Sequence, residues 1–258
     1  LVMPGFTAPK LLWVKENEPD TFKQVDKVLL PKDYLRYKLT SEFASDMSDS
    51  AGTSWLNTGE RSWSKSMLMA CGLSEKHMPT LYEGNEITGY LTAKTAKRWG
   101  MKAVPVVAGA GDNAAGAVGC GIVDAGQAML SLGTSGVYFA VTNDYRSDPE
   151  SAVHSFCHAI GHRWHLMSVM LSAASCLDWF TKNSGYRSVA ELFDDVVNNT
   201  RPDDPNTPFF LPYLTGERTP HNNPNAKAGF FGLTASTTRA HMAQAVVQGV
   251  SMALADGI

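Results

Sequence analysis

The chain has 258 residues, 44% of them hydrophobic and 18% charged, a balance that suits a globular protein of one large or two ordinary domains. Lys and Arg number 22 against 25 Asp and Glu, a net charge of −3. That balance argues against nucleic-acid and membrane-surface partners, which select a basic excess, and for small-molecule chemistry. The cysteines Cys71, Cys120, Cys157 and Cys176 are scattered, with no Cys-x-x-Cys pair. They are expected to be reduced, buried thiols in a cytoplasmic protein, with no zinc or other metal site built from them. No apolar run reaches the roughly 18 residues of a membrane span, and no signal peptide is recognisable.

In chain order, the first hundred residues read as helices and loops. "TFKQVDKVLL" spaces Phe22, Val25, Val28 and Leu29 for one helical face, with Pro31 expected to stop it, and "DYLRYKLT" continues in helical style. From Val104 the texture changes to short apolar strands between glycine-rich turns: "VPVVAG", "AMLSLG", "GVYFAV" and "RWHLMSVM". "SVAELFDDVVNN" places Val189, Leu192, Phe193, Val196 and Val197 on one stripe behind a Ser188 cap, an amphipathic helix. Residues 201–229, rich in Pro, Asn and Gly, are expected to form one long loop too polar for a core. A last helix carries Met242, Val246, Val250 and Leu254 on one face. Both ends read as cut from a longer protein, and a domain boundary is expected between residues 105 and 110.

Asp112 is the lone carboxylate of "VPVVAGAGDNAAGAVGCG", in a run whose glycines and alanines let backbone approach a partner closely. Two compatible readings follow: Asp112 or Asn113 caps a helix, or Asp112 is aimed into a cleft from a strand-to-helix turn. In "AMLSLGTSGVYFAV", Gly133-Thr134-Ser135-Gly136 joins two strands. Such a tip can adopt positive φ and present several N–H groups with the hydroxyls of Thr134 and Ser135, a cradle for phosphate; the alternative is a plain hairpin turn. In "LPYLTGERTPHNNP", Arg218 could meet a phosphate and His221 a sugar hydroxyl or phosphate, while the alternative is a salt-bridged surface loop including Glu217. No nucleophile elbow or Walker A loop is present, and an Asp within "GAGDNAAG" would repel a pyrophosphate, so a dinucleotide site is not expected.

Four ordered segments, "GFTAPKLLWVKEN", "GAGDNAAGAVG", "SLGTSGVYFAV" and "GFFGLTASTTRAHMAQAVVQGV", together resemble the FGGY family of carbohydrate kinases over essentially the whole chain. Gly5 to Asn17 and Gly229 to Gln248 are similar to that family's two signature segments. "LLPKDYLRYKLTSEFASDMSDSAGTSW", "ESAVHSFCHA" and "LPYLTGERTPHNNP" look most like the bacterial members that phosphorylate D-xylulose. The resemblance implies an α/β protein of two ribonuclease H-like domains of the actin/hexokinase ATPase type. Residues 1–108 would be the later part of the first domain and residues 109–258 the start of the second. It implies ATP and Mg²⁺ as cofactors, a sugar substrate, a cytoplasmic location and no nucleic-acid or membrane partner; a homodimer is among the assemblies it allows. By the same resemblance Asp112 aligns with the catalytic base and substrate contact, Asn113 lies beside it against the sugar, Gly133 and Thr134 belong to a phosphate-binding hairpin, and Ser172 to Trp179 resembles a nucleotide-facing helix. A first phosphate hairpin with an Asp-x-Gly-Thr run and a Gly-rich adenosine motif are absent from these 258 residues, so the chain by itself is expected to be inactive. Ribulose, gluconate or glycerol as the acceptor, or an inactive binding fragment, are the alternative readings.

Overall fold

The computed structural model describes residues 2–258 and divides the chain into two compact units. The first consists of the chain up to Gln127 with residues 140–146 and 155–166; the second consists of residues 128–139, 147–154 and 167–258.

The first unit begins with helices α1 (Thr7–Asn17), α2 (Pro19–Phe22) and α3 (Pro31–Thr40), followed by strand β1 (Ala44–Asp46) and a single helical turn, α4 (Met47–Ser50). Then come β2 (Leu56–Asn57), β3 (Ser62–Trp63), α5 (Lys65–Ala70), β4 (Thr80–Tyr82), β5 (Ile87–Tyr90), α6 (Ala93–Trp99), β6 (Pro105–Val107) and α7 (Asp112–Gly119). β1 pairs in parallel with β4, and β5 pairs antiparallel with β6. The expected helix across "TFKQVDKVLL" does not form. Helix α2 ends at Phe22, and the Val28 N–H donates to the His77 carbonyl at 2.9 Å, a bond made by the tertiary fold in place of a local one. Pro31 opens α3 instead of closing a helix, because the first helical position needs no N–H donor and proline's fixed φ suits it. Phe22 and Val28 nevertheless reach the core around Trp55, Leu68, Cys71 and Met78, in which Trp55 is fully buried and its Nε1 lies 3.3 Å from the Cys71 sulfur. The unit changes after Gln127, whereas the sequence changes texture near residues 105–110. β6 and α7 stay with the first unit because β6 is paired to β5 and the start of α7 is hydrogen-bonded to α4.

Further along come β7 (Ala128–Leu132), β8 (Gly136–Thr142), β9 (His154–Cys157) and β10 (Trp164–Met170), in sheet order β7-β8-β10-β9; β6, β7, β8 and β10 match the four expected strands with small shifts of boundary, while β9 has no counterpart among them. They are followed by α8 (Ala174–Asn183), α9 (Val189–Asn199), β11 (Phe209–Leu211), β12 (Gly229–Phe231) and α10 (Arg239–Ala255). The second unit's core gathers Met170, Cys176, Phe180, Leu192, Phe210, Val246 and Val250, with Met242, Val196 and Leu254 packed against it. Ser188 caps α9, accepting the Glu191 N–H at 3.1 Å. The α9 stripe is narrower than its spacing suggests: Leu192 is buried, while Phe193 is 40% and Val197 76% exposed.

Residues 201–229 are not one polar loop. Phe209–Leu211 pairs antiparallel with Gly229–Phe231, Phe210 is core, and Glu217 and Thr219 are buried. Polar backbone tolerates that burial because it is paired: Glu217 and Asn223 exchange N–H···O bonds at 2.9 and 2.8 Å. All four cysteines are free; Cys71, Cys157 and Cys176 are buried, but Cys120, at the C-terminal end of α7, is exposed. Among the described residues no helix is long and apolar enough to cross a membrane.

Candidate functional site

Asp112 and Asn113 lie in the first unit and are presented by the end of β6 and the start of α7. Gly109, at φ +85, turns the chain out of the strand, a left-handed conformation that glycine adopts without strain. The Ala108 and Gly109 N–H groups donate to the Glu86 and Gly84 carbonyls, both at 3.0 Å, and fix that turn. Gly111, with φ −62 and ψ 153, is the N-cap of α7, and its N–H donates to the Ser48 hydroxyl at 2.9 Å. A Cβ on Gly111 would stand 3.3 Å from the Asp49 Cα, close enough that the two segments would have to part by a few tenths of an ångström to admit it. The cap expectation is corrected accordingly: neither Asp112 nor Asn113 is the N-cap, and no side chain caps the helix. Asp112 is the first helical residue, is exposed, and accepts the Asn113 N–H at 2.7 Å. A carboxylate there is stabilised by the positive end of the helix.

A buried charge cluster is tied to this helix start. Asp46 caps α4, accepting the Ser48 and Asp49 N–H groups at 2.9 and 3.0 Å and the Ser48 hydroxyl. The Lys32 ammonium lies 2.5 Å from Asp46, 2.7 Å from Asp33 and 3.6 Å from Asp49. Arg36 approaches Asp33 at 3.5 Å and donates to the Thr88 hydroxyl at 3.2 Å. Asp33 and Asp46 are each 1% exposed. Burial by itself would lower the Lys32 pKa, but Asp46 and Asp33 outweigh it and the group is raised. Burial pushes the Asp49 carboxyl up to about 6, against the pull of Lys32 and with the help of Asp46 and Asp33. None of this cluster is a candidate from the sequence; the Asp-x-Ser spacing in "SDMSDS" is the only local trace of it.

Gly133 and Thr134 lie in the second unit, in the turn between β7 and β8, and both are exposed. The turn differs from the expected one, since neither Gly133 nor Gly136 has a positive φ. Its shape is held from outside. The Thr134 carbonyl accepts the Ala173 N–H at 2.9 Å and the Ser175 hydroxyl at 2.9 Å, and the Gly133 carbonyl accepts the Ala174 N–H at 3.0 Å. In a trans peptide the N–H points opposite to the carbonyl of the same plane. The two peptide planes that face the start of α8 with their oxygens therefore turn the Thr134 and Ser135 N–H groups away from it. Two parallel donors beside two hydroxyls on an exposed turn suit an anion. Gly136 is buried beneath, where a Cβ would come within 2.6 Å of Leu254 and 3.3 Å of Ala173.

The third candidate loop is more deeply built than a surface salt bridge. One Glu217 oxygen accepts the Leu171 N–H at 2.9 Å and the Arg218 N–H at 2.7 Å, and burial raises the carboxyl despite them. Arg218 reaches His154 Nε2 at 3.1 Å, and burial with the Arg218 charge pushes His154 down to about 4, so its ring is neutral at ordinary pH. His221 is exposed and meets the Tyr213 hydroxyl at 2.9 Å. Arg218 and His221 are thus both engaged inside the second unit.

The description "FGGY family of carbohydrate kinases, N-terminal domain" matches residues 1–119, and that family's C-terminal domain matches residues 128–258. The chain is 64% identical to a xylulose kinase of Escherichia coli (strain K12), over 100% of this chain and 53% of that protein. A crystal structure of a xyloylose kinase from Brucella ovis superposes with a TM-score of 0.94 at 51% identity, covering 98% of this chain and 52% of the other. A gluconate kinase from Lactobacillus acidophilus shares the fold, with a TM-score of 0.88 at 24% identity and coverage of 98% and 52%. The chain spans about half the length of the curated relatives it matches.

Proposed function

The chain belongs to the FGGY family of carbohydrate kinases and has the ribonuclease H-like, actin/hexokinase-type α/β fold, and on that premise we propose that the protein carrying it phosphorylates D-xylulose with ATP in the cytoplasm, giving D-xylulose 5-phosphate. The observation that carries the kinase reading is the match to both domains of that family, and Asp112, an exposed carboxylate on the first residue of a helix whose cap is fixed by a long-range hydrogen bond, is the group this reading assigns as base. The choice of D-xylulose rests on the 64% identity to the Escherichia coli xylulose kinase.

In this reading Asp112 accepts a hydrogen bond from the terminal hydroxyl of the sugar, and Asn113 contacts the sugar beside it. Phosphoryl transfer passes through a loose transition state, so the protein's task is alignment and charge neutralisation. A carboxylate is a weak base toward an alcohol. It takes the proton late, as the sugar oxygen bonds to phosphorus and becomes acidic, while the phosphorus–oxygen bond to the departing ADP breaks. The Thr134 and Ser135 N–H groups, with the Thr134 hydroxyl, hold phosphate oxygens of ATP. Mg²⁺ bound with ATP supplies charge neutralisation. Such an ion is held mainly by phosphates and water, so a dedicated cage of side chains is not required, and no residue of this chain is assigned to it.

The test is Asp112→Asn in the full gene product that carries this chain, assayed with D-xylulose, D-ribulose, gluconate and glycerol. General-base help of this kind is worth roughly 10²–10⁴ in rate, so kcat should fall by that order with the KM for ATP little changed. Near-normal turnover in the variant would remove Asp112 from the role, and a preference for another acceptor in the parent would replace D-xylulose.

A further inference from the structure

From the bonds that join α4 to α7 we infer that Ser48, held by Asp46, is a positioning residue for Asp112. This rests on the proposed role of Asp112. Ser48 and Gly111 are 63 residues apart, yet the Gly111 N–H donates to the Ser48 hydroxyl at 2.9 Å, and that hydroxyl donates its own proton to Asp46. A hydroxyl has one proton to give, so donating to a carboxylate turns its lone pairs toward Gly111. Asp46 is itself immobilised, 1% exposed, with Lys32 on one oxygen and three donors on the other.

The route Lys32, Asp46, Ser48, Gly111 therefore sets where the α7 backbone begins, one residue before the carboxylate. Gly111 has no side chain and no side-chain cap is present, so the bond to Ser48 is what ties this helix start to α4. The same contact explains why Gly111 lies so close to Asp49: a Cβ there would push the two segments apart and stretch the bond to Ser48. Phosphoryl transfer depends on alignment, and a misplacement of about 1 Å can cost up to ~10²-fold in rate.

The experiment is Ser48→Ala in the full gene product, alone and combined with Asp112→Asn, with kcat, both KM values and the melting temperature measured. The expected result is a kcat lower by about 10- to 100-fold, with KM for ATP and for D-xylulose changed by less than about twofold. In the Asp112→Asn background Ser48→Ala should remove little more, because the group it positions is already gone. A normal kcat in Ser48→Ala beside a collapsed Asp112→Asn overturns this inference and leaves the role of Asp112 standing. So do losses that multiply in the double variant, which mark a merely structural effect. An unimpaired Asp112→Asn defeats the underlying reading instead. If Ser48→Ala does not fold, Asp46→Asn replaces it. That variant keeps an acceptor for the three donors but no charge for Lys32, and it should show the same split between kcat and KM with a smaller loss. An unchanged kcat there overturns the inference as well.

Discussion

Gly249 lies inside α10, where the helix rests on β11. A methyl group at this position would stand 2.3 Å from the Phe210 carbonyl oxygen and 3.1 Å from the carbonyl carbon, both backbone atoms. Restoring normal contact requires α10 to withdraw by about 1 Å, enough to forfeit much of the dispersion across the interface. The side chains that lose contact are Val246, Val250 and Phe210, at 0%, 6% and 4% exposure. Overpacking of this kind costs about 1–3 kcal/mol, and the upper end applies because no flexible side chain can yield. Alanine returns about 1 kcal/mol of helix propensity over glycine, leaving a net loss of ~2 kcal/mol for Gly249→Ala. Urea unfolding followed by amide exchange in α10 reads this directly. With a slope of about 2 kcal/mol/M the midpoint should fall by about 1 M. An unchanged or higher midpoint refutes the reasoning, since it would mean that the helix is not seated against β11 at this distance.

Thr134→Val in the full gene product should raise the KM for ATP and leave the KM for the sugar unchanged; a defect confined to the sugar would count against a phosphate role for the turn. Glu217→Ala leaves the half-buried Leu171 and Arg218 N–H groups without their acceptor and should cost about 1–2 kcal/mol in thermal melts. Glu217→Gln keeps that oxygen and should stay close to the parent, so equal losses in the two variants would show that the hydrogen bonds are not what matters. Asp49 has its pKa raised from 3.8 to about 6 in the folded state, so between those values the folded chain keeps a proton that the unfolded chain has lost. Its contribution to stability is therefore greatest below about pH 4 and disappears as pH rises through 6. Asp49→Asn should gain on the parent in chemical denaturation as pH is raised from 4 to 7, and a difference that stays flat across that window would reject the raised pKa.

The local pattern of the sequence was sufficient where one stretch of chain settles its own structure. The Ser188 cap and the Val246–Val250 face announce α9 and α10, because a cap and a 3.6-residue period are written within a dozen residues. β7 and β8 are legible in the same local way, as short apolar runs bounded by glycine. The ordered family motifs carry the kinase reading.

Only the tertiary structure decided what depends on partners distant in sequence. The bond from Val28 to His77 ended a helix that spacing favoured, and pairing of Phe210 with Phe230 brought a stretch that read as polar loop into the core. Hydrogen bonds from the Leu171 and Arg218 N–H groups hold Glu217, 3% exposed, as an internal group rather than a surface ion. The anchoring of α7 is the clearest case: Ser48 looks like any serine in a turn until folding brings Gly111 to it, because a hydrogen bond needs its two groups within about 3 Å and nothing in a linear chain records that distance.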